Sequence, residues 1–147
     1  MRKQFSKSDI KEFIKQMPLA KNLISKKSKV VEENNKLFIN DELAFIQEEK
    51  RGKWFPSLHI LLSKKLSLPN VVVDKGAIRF VVKGADIMRP GIVDIDEFKK
   101  NDFVVIVDEM MKKPLAVGKA LKSSQELKEE KEGKSIQSLH YFGDGYF

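Results

Sequence analysis

The sequence has no cysteine and only two histidines, His59 and His140. Disulfides and thiolate metal sites are thereby excluded, and two histidines so far apart make a poor zinc pair. No segment approaches the ~18 consecutive apolar residues that mark a membrane-spanning helix. Met1–Phe5 leads into a polar helical pattern instead of the apolar core of a secretion signal. The expectation is a soluble, cytoplasmic protein that needs no metal or other cofactor and no membrane. The segment from Gly84 to Gly91 lacks both the Gly-Lys-Ser/Thr ending of a P-loop and the GxGxxG of a dinucleotide fold. Catalytic groupings are missing as well. Asp94, Asp96, Asp102 and Asp108 fall near predicted turns and strand ends, where carboxylates serve as turn formers, and neither histidine accompanies a nucleophile in a known motif. The chain is therefore not expected to be an enzyme.

Positive charge is present, and it is unevenly placed. Of the formal net charge of +7, residues 1–70 supply the whole, with 15 Lys and Arg against 8 Asp and Glu. Residues 71–147 carry 13 of each sign. Long-range attraction to a polyanion is thus expected from the first part of the chain. Lys11, Lys15, Lys26 and Lys27 form the candidate basic surface there, although any single lysine more often only solvates its surroundings.

Ser6 or Ser8 is positioned to cap a first helix in which Ile10, Phe13, Ile14 and Met17 follow helical spacing until Pro18 stops it. A helical piece near Leu19–Ile24 opens into the polar loop Ser25–Lys29. Short strands are predicted at Val30–Val31, Lys36–Ile39 and Leu43–Ile46, joined by the turn pairs Asn34-Asn35 and Asn40-Asp41. Arg51–Ser57 reads as a loop before a helix with Pro56 near its first position and Leu58, Leu61, Leu62 and Leu66 as its buried stripe. Trp54 and Phe55, beside Arg51 and Lys53, suit either base stacking or packing. Packing is favoured, because Phe55-Pro56 immediately precedes an apolar helix. Leu68-Pro69-Asn70 marks the expected boundary between domains 1–70 and 71–147. Beyond it, strands are predicted at Ile92–Val93, Phe103–Val107 and Pro114–Leu121, with a bulge at Gly118. Ser123 and Glu126 form a capping-box pattern for a short helix, and a last strand runs from Ile136 to Phe142. Tyr141, Tyr146 and Phe147 pose the same choice between stacking and packing at the C-terminal end.

The stretch from Val73 to Gly91 carries the most information. Lys75, Arg79 and Lys83 recur at every fourth residue, so a helix holds them on one face while Ile78, Val81 and Val82 turn to a core. Gly84 ends that helix, and a Pro-Gly turn follows at Pro90-Gly91. Cations beside an exposed glycine turn suit the phosphates and 2′-hydroxyls of RNA.

VDKGAIRFVVKGADIMRPGI, together with the terminal HYFGDGYF, resembles a PUA domain. With its DKGAI and closing HY…DG it is similar to translation factors of the malignant T-cell amplified sequence type, related to ligatin. ELAFIQEEKRGKWFPSLHILL resembles the N-terminal domain of that family. The resemblance implies an α+β protein, with an N-terminal α/β pre-PUA domain followed by a PUA pseudo-barrel of mostly antiparallel strands. It implies RNA binding through the basic helix, its glycine turn and the adjacent strand, carried here by Lys75, Arg79, Lys83, Gly84, Ala85, Arg89 and Gly91. The implied role is non-catalytic, with the small ribosomal subunit and tRNA in initiation, reinitiation or recycling. The implied partners are tRNA or small-subunit rRNA and a protein of the density-regulated type. Compactness and lysine content suggest a stand-alone archaeal member. The alternatives are an RNA-binding accessory of a tRNA- or rRNA-modifying enzyme and a protein-interaction scaffold.

Overall fold

The computed structural model describes residues 1–49 and 52–146. Arg51 and Phe147, named above beside the aromatic groups, lie outside the described residues. The chain forms two compact units, Met1–Ser67 and Leu68–Phe147.

In the first unit the elements are β1 (Arg2–Gln4), α1 (Lys7–Gln16), a 3-10 turn (Pro18–Asn22), β2 (Val30–Glu33), β3 (Lys36–Ile39), β4 (Glu42–Gln47), β5 (Trp54–Pro56) and α2 (Leu58–Leu62). Ser6 caps α1. Its hydroxyl accepts from Asp9 N at 3.1 Å, and the Asp9 carboxylate accepts from Ser6 N at 2.9 Å, the reciprocal pair that satisfies two donors left open at a helix start. The hydrogen bond from Ser6 N holds the Asp9 carboxyl below its usual value. The five strands form one antiparallel sheet in sequence order. Asn34 and Asn35 adopt φ of 53° and 63°, and Asn40 and Asp41 φ of 50° and 67°, so both predicted turns use the left-handed pairs that match strand twist.

Two strands of this sheet were not expected. β1 is exposed along its length, so no hydrophobic alternation announces it; it forms by pairing Arg2–Gln4 with Val31–Glu33. The segment read as a loop before a helix contains β5, in which Phe55 pairs with Ile46 and Trp54 with Gln47. Pro56 belongs to this edge strand, where a missing N–H is tolerated. Ser57 starts α2 instead, accepting from Ile60 N at 3.1 Å and donating to Leu43 O at 2.7 Å. The helix is short, so Leu66 lies beyond it and Leu62 is exposed, whereas Leu58 and Leu61 are buried. Trp54 packs in the unit's core, its ring 5.2 Å from Phe13, which in turn lies 5.4 Å from Phe45.

The second unit comprises β6 (Asn70–Val73), α3 (Lys75–Val81), β7 (Ile87–Met88), β8 (Ile92–Ile95), β9 (Phe103–Asp108), β10 (Pro114–Ala120), α4 (Ser124–Glu129) and β11 (Lys134–Tyr141). The sheet order is β7-β11-β10-β9-β6-β8. β6 and β9 run parallel and the other described pairs antiparallel. β6 lies at the expected boundary, and its valines Val71–Val73 are all buried. Val71, Val73, Val104, Ile106, Leu127 and Ile136 are central to the core. The β10–β11 register shifts between Val117 and Gly118, and a side chain at 118 would sit 2.9 Å from Gln137 O, so the glycine marks a bulge as its sequence position suggested. Ser123 caps α4 reciprocally with Glu126. The fold is α+β.

Candidate nucleic-acid interface

α3 starts at Asp74, whose carboxylate accepts from Ala77 N at 2.9 Å and satisfies one of the helix's open donors. It closes in a Schellman arrangement. Ala85 N donates to Phe80 O and Gly84 N to Val81 O, each at 3.0 Å, with Gly84 at φ +91° in the left-handed position. Lys75, Arg79 and Lys83 are all exposed. Val81 is buried and Ile78 packs against the core. Val82 departs from expectation: it is 43% exposed, because the closing turn at Val82–Gly84 carries its side chain away from the sheet.

Beyond Gly84 the chain is tied along β11. The Asp86 carboxylate accepts from Ser138 N at 2.8 Å and pairs with Lys134 Nζ at 3.0 Å, and Ile87 pairs with Ile136. The ring of Tyr141 lies against Gly84, where a Cβ would meet Cε1 at 2.5 Å. Between α3 and the Ala85–Gly91 segment runs a mostly apolar groove of about 630 Å³, lined on the helix side by Gly76, Ala77, Phe80 and Val81 and on the other by Ala85, Met88, Pro90 and Gly91. Gly91 keeps it open, since a side chain there would come within 3.0 Å of Ala77 Cβ.

The three cations do not line this groove; Lys75 and Arg79 are exposed on α3, and Lys83, expected on the same helix, is exposed in the turn that closes it. Arg79 connects the two surfaces, its guanidinium 4.8 Å from the centre of the Phe80 ring, a cation–π contact. Phe80 is 54% exposed at the groove and was not singled out from sequence. A phenylalanine between Arg79 and two valines reads as core, and its exposure becomes visible only once the short helix shows which side meets the sheet.

Arg89, one of the expected contacts, has a structural role as well. Its Nε donates to Leu127 O at 2.6 Å and its Nη1 to Ile92 O at 3.1 Å, so the guanidinium clamps the turn after β7 to the end of α4 and the start of β8. Arg89→Ala is expected to cost about 2–3 kcal/mol, the usual worth of hydrogen bonds from a charged donor to half-buried carbonyls. Arg79→Ala, on an exposed face, should stay within ~0.5 kcal/mol of the parent. Urea unfolding of the two variants measures the difference, and equal midpoints would remove the clamp.

The other singled-out groups have structural surroundings. Asp96 accepts from Asn70 N, Asp94 from Ile95 N and Asp102 from Lys99 N, while the Asp108 carboxylate organises the β9–β10 turn. His59 is exposed on α2. His140 is fully buried, with Nδ1 2.7 Å from Asp144 Oδ2, and Tyr146 packs edge-on against it at 5.9 Å. In the first unit, Lys11 and Lys15 are exposed on α1, the latter 4.0 Å from Glu12. Lys26 and Lys27 are exposed in a turn closed by Ser25 and Ser28. Among the described residues no helix is long and apolar enough to cross a membrane.

Comparison with known proteins gives this geometry a family. Residues 69–142 match the PUA domain model. An uncharacterized protein of Methanocaldococcus jannaschii is 42% identical over 95% of this chain and 90% of its own. Translation machinery-associated protein 20 of Schizosaccharomyces pombe is 34% identical over 83% and 72%, and malignant T-cell-amplified sequence 1 of Rattus norvegicus 34% over 74% and 62%. A crystal structure of a hypothetical protein from Pyrococcus horikoshii superposes with a TM-score of 0.81 at 36% identity, over 99% of this chain and 96% of that one. The groove therefore lies in a PUA pseudo-barrel, and the chain belongs to the PUA-domain family of translation machinery-associated protein 20 and malignant T-cell-amplified sequence proteins.

Proposed function

We propose that this chain is a non-catalytic RNA-binding protein of the translation machinery, acting with the small ribosomal subunit and tRNA in initiation, reinitiation or recycling. The observation that carries the reading is an apolar groove running beside a helix that exposes Lys75 and Arg79, with Lys83 exposed in its closing turn. Such a pairing offers an unstacked base an apolar surface and its phosphates cations at hand. Gly84, Ala85, Arg89 and Gly91 complete the proposed RNA surface. Relatives named for the translation machinery support the setting, and the excess charge of residues 1–70 supplies the attraction to rRNA through Lys11, Lys15, Lys26 and Lys27. A density-regulated-type protein is the partner this reading proposes.

Titration of the purified protein with tRNA across salt, alongside sedimentation with small subunits, tests the proposal. With about four phosphates neutralised, log K should fall against log salt with a slope near −3 to −4, and the protein should travel with the subunits. A flat titration, or sedimentation apart from the subunits at low salt, would overturn it.

A further inference from the structure

β11 ends at Tyr141, and a buried polar pair that the RNA-binding reading does not use spans that end. The side chains of His140 and Asp144 are 0% and 6% exposed, with His140 Nδ1 2.7 Å from Asp144 Oδ2. A carboxylate only accepts, so Nδ1 carries the proton and donates it. The same carboxylate accepts from Tyr141 N at 2.8 Å and from Tyr146 N at 3.0 Å. Gly143 and Gly145, at φ +90° and +93°, turn the chain back far enough for Asp144 to reach all three donors. The Tyr141 backbone is thus held by Asp144 on one side and by pairing with Ala116 on the other. Its ring lies where a Cβ on Gly84 would project, with Cζ 2.9 Å from that point. Gly84 in turn closes α3 and leads directly into Ala85 and Asp86, which line the groove.

We propose that His140 and Asp144 are positioning residues for the RNA surface: by fixing the Tyr141 backbone they hold its ring against Gly84 and so set the turn from which one wall of the groove starts. The inference rests on the RNA-binding reading above. An apolar pair of similar volume would stabilise a buried site as well as a polar one. What a bonded network adds is direction, since it admits one arrangement of the atoms it joins. Here the atoms joined are the His140 ring and the amides of Tyr141 and Tyr146, and the arrangement they admit is the one that presents the Tyr141 ring to Gly84. Neither His140 nor Asp144 lines the groove, so their effect on RNA passes through Tyr141.

The test uses the full chain and purified tRNA, with melting measured beside affinity. H140L, which removes the donor, should bind tRNA about tenfold more weakly, the scale on which packed networks without ligand contact alter binding. Its salt slope should match the parent's, because no phosphate contact is lost. H140N keeps a donor near the place of Nδ1 and should restore parental affinity even where its melting temperature is lower. In a Tyr141→Ala background, H140L should cost no further affinity. Y141L leaves His140 and Asp144 in place but removes the ring from Gly84; it should weaken tRNA as H140L does, and it carries the test if H140L does not fold. Parental affinity in Y141L overturns the inference. So does an H140L loss that persists undiminished in the Tyr141→Ala background, or an H140L that melts lower yet binds like the parent. Each of these leaves the RNA-binding reading standing, whereas a parent that does not bind tRNA overturns the reading and the inference together.

Discussion

Gly84→Val is expected to destabilise the second unit by about 3–5 kcal/mol, combining left-handed backbone strain in a β-branched residue with overpacking against a ring. Gly84 has φ +91° and the ring of Tyr141 lies where its Cβ would project, with Cε1 at 2.5 Å and Cζ at 2.9 Å. The two causes are separable. Gly133 has φ +100° with nothing within 4 Å of an added Cβ, so Gly133→Ala pays for the backbone alone, about 1 kcal/mol. Gly84→Ala meets the same strain and the ring. Amide exchange of the β11 residues and thermal melting read both variants. A Gly84→Ala loss that exceeds the Gly133→Ala loss and shrinks in a Tyr141→Ala background assigns the excess to the ring. Equal losses for the two alanine variants would reduce Gly84 to an ordinary turn glycine.

The readable parts of the fold were those in which local chemistry decides the structure. Asn34-Asn35 and Asn40-Asp41 tolerate left-handed backbone, Ser6 and Ser123 build reciprocal caps with Asp9 and Glu126, and Gly118 marks its bulge. β1 and β5 were unreadable for the opposite reason: three residues hold no period, and each strand exists because a neighbour pairs with it. Legibility of the candidate interface divides along the same line. Four-residue spacing placed Lys75 and Arg79 on α3, since cations at that spacing need only a helix, but Lys83 falls in the turn after it because the helix ends at Val81. The tertiary environment decided Arg89 and Phe80. A guanidinium reaching Leu127 O across 38 positions of sequence leaves no local signature, and Phe80 is exposed only because the groove runs past it.

Division of labour between the two units gives the largest expected effect on binding. Residues 1–70 carry the whole charge excess, and the apolar groove lies in the second unit. Nonspecific attraction should therefore be lost from one unit and selectivity from the other. Neutralising Lys11, Lys15, Lys26 and Lys27 together is expected to make the salt slope for small-subunit association shallower by about 3, on four phosphate contacts, and to weaken association about a hundredfold or more at low salt. Discrimination between a complete and a truncated tRNA 3′ end should survive, because these lysines belong to the first unit and the groove is lined by residues of the second. Changing Lys75, Arg79 and Lys83 should abolish that discrimination with a smaller loss of subunit affinity. Phe80→Ala should also blunt it while leaving the salt slope unchanged, since an aromatic ring releases no counterions. The competing account treats the N-terminal lysines as a solubilising coat. It forecasts sedimentation with small subunits that the quadruple substitution leaves unchanged at every salt concentration, and that result would move the subunit contact out of the first unit.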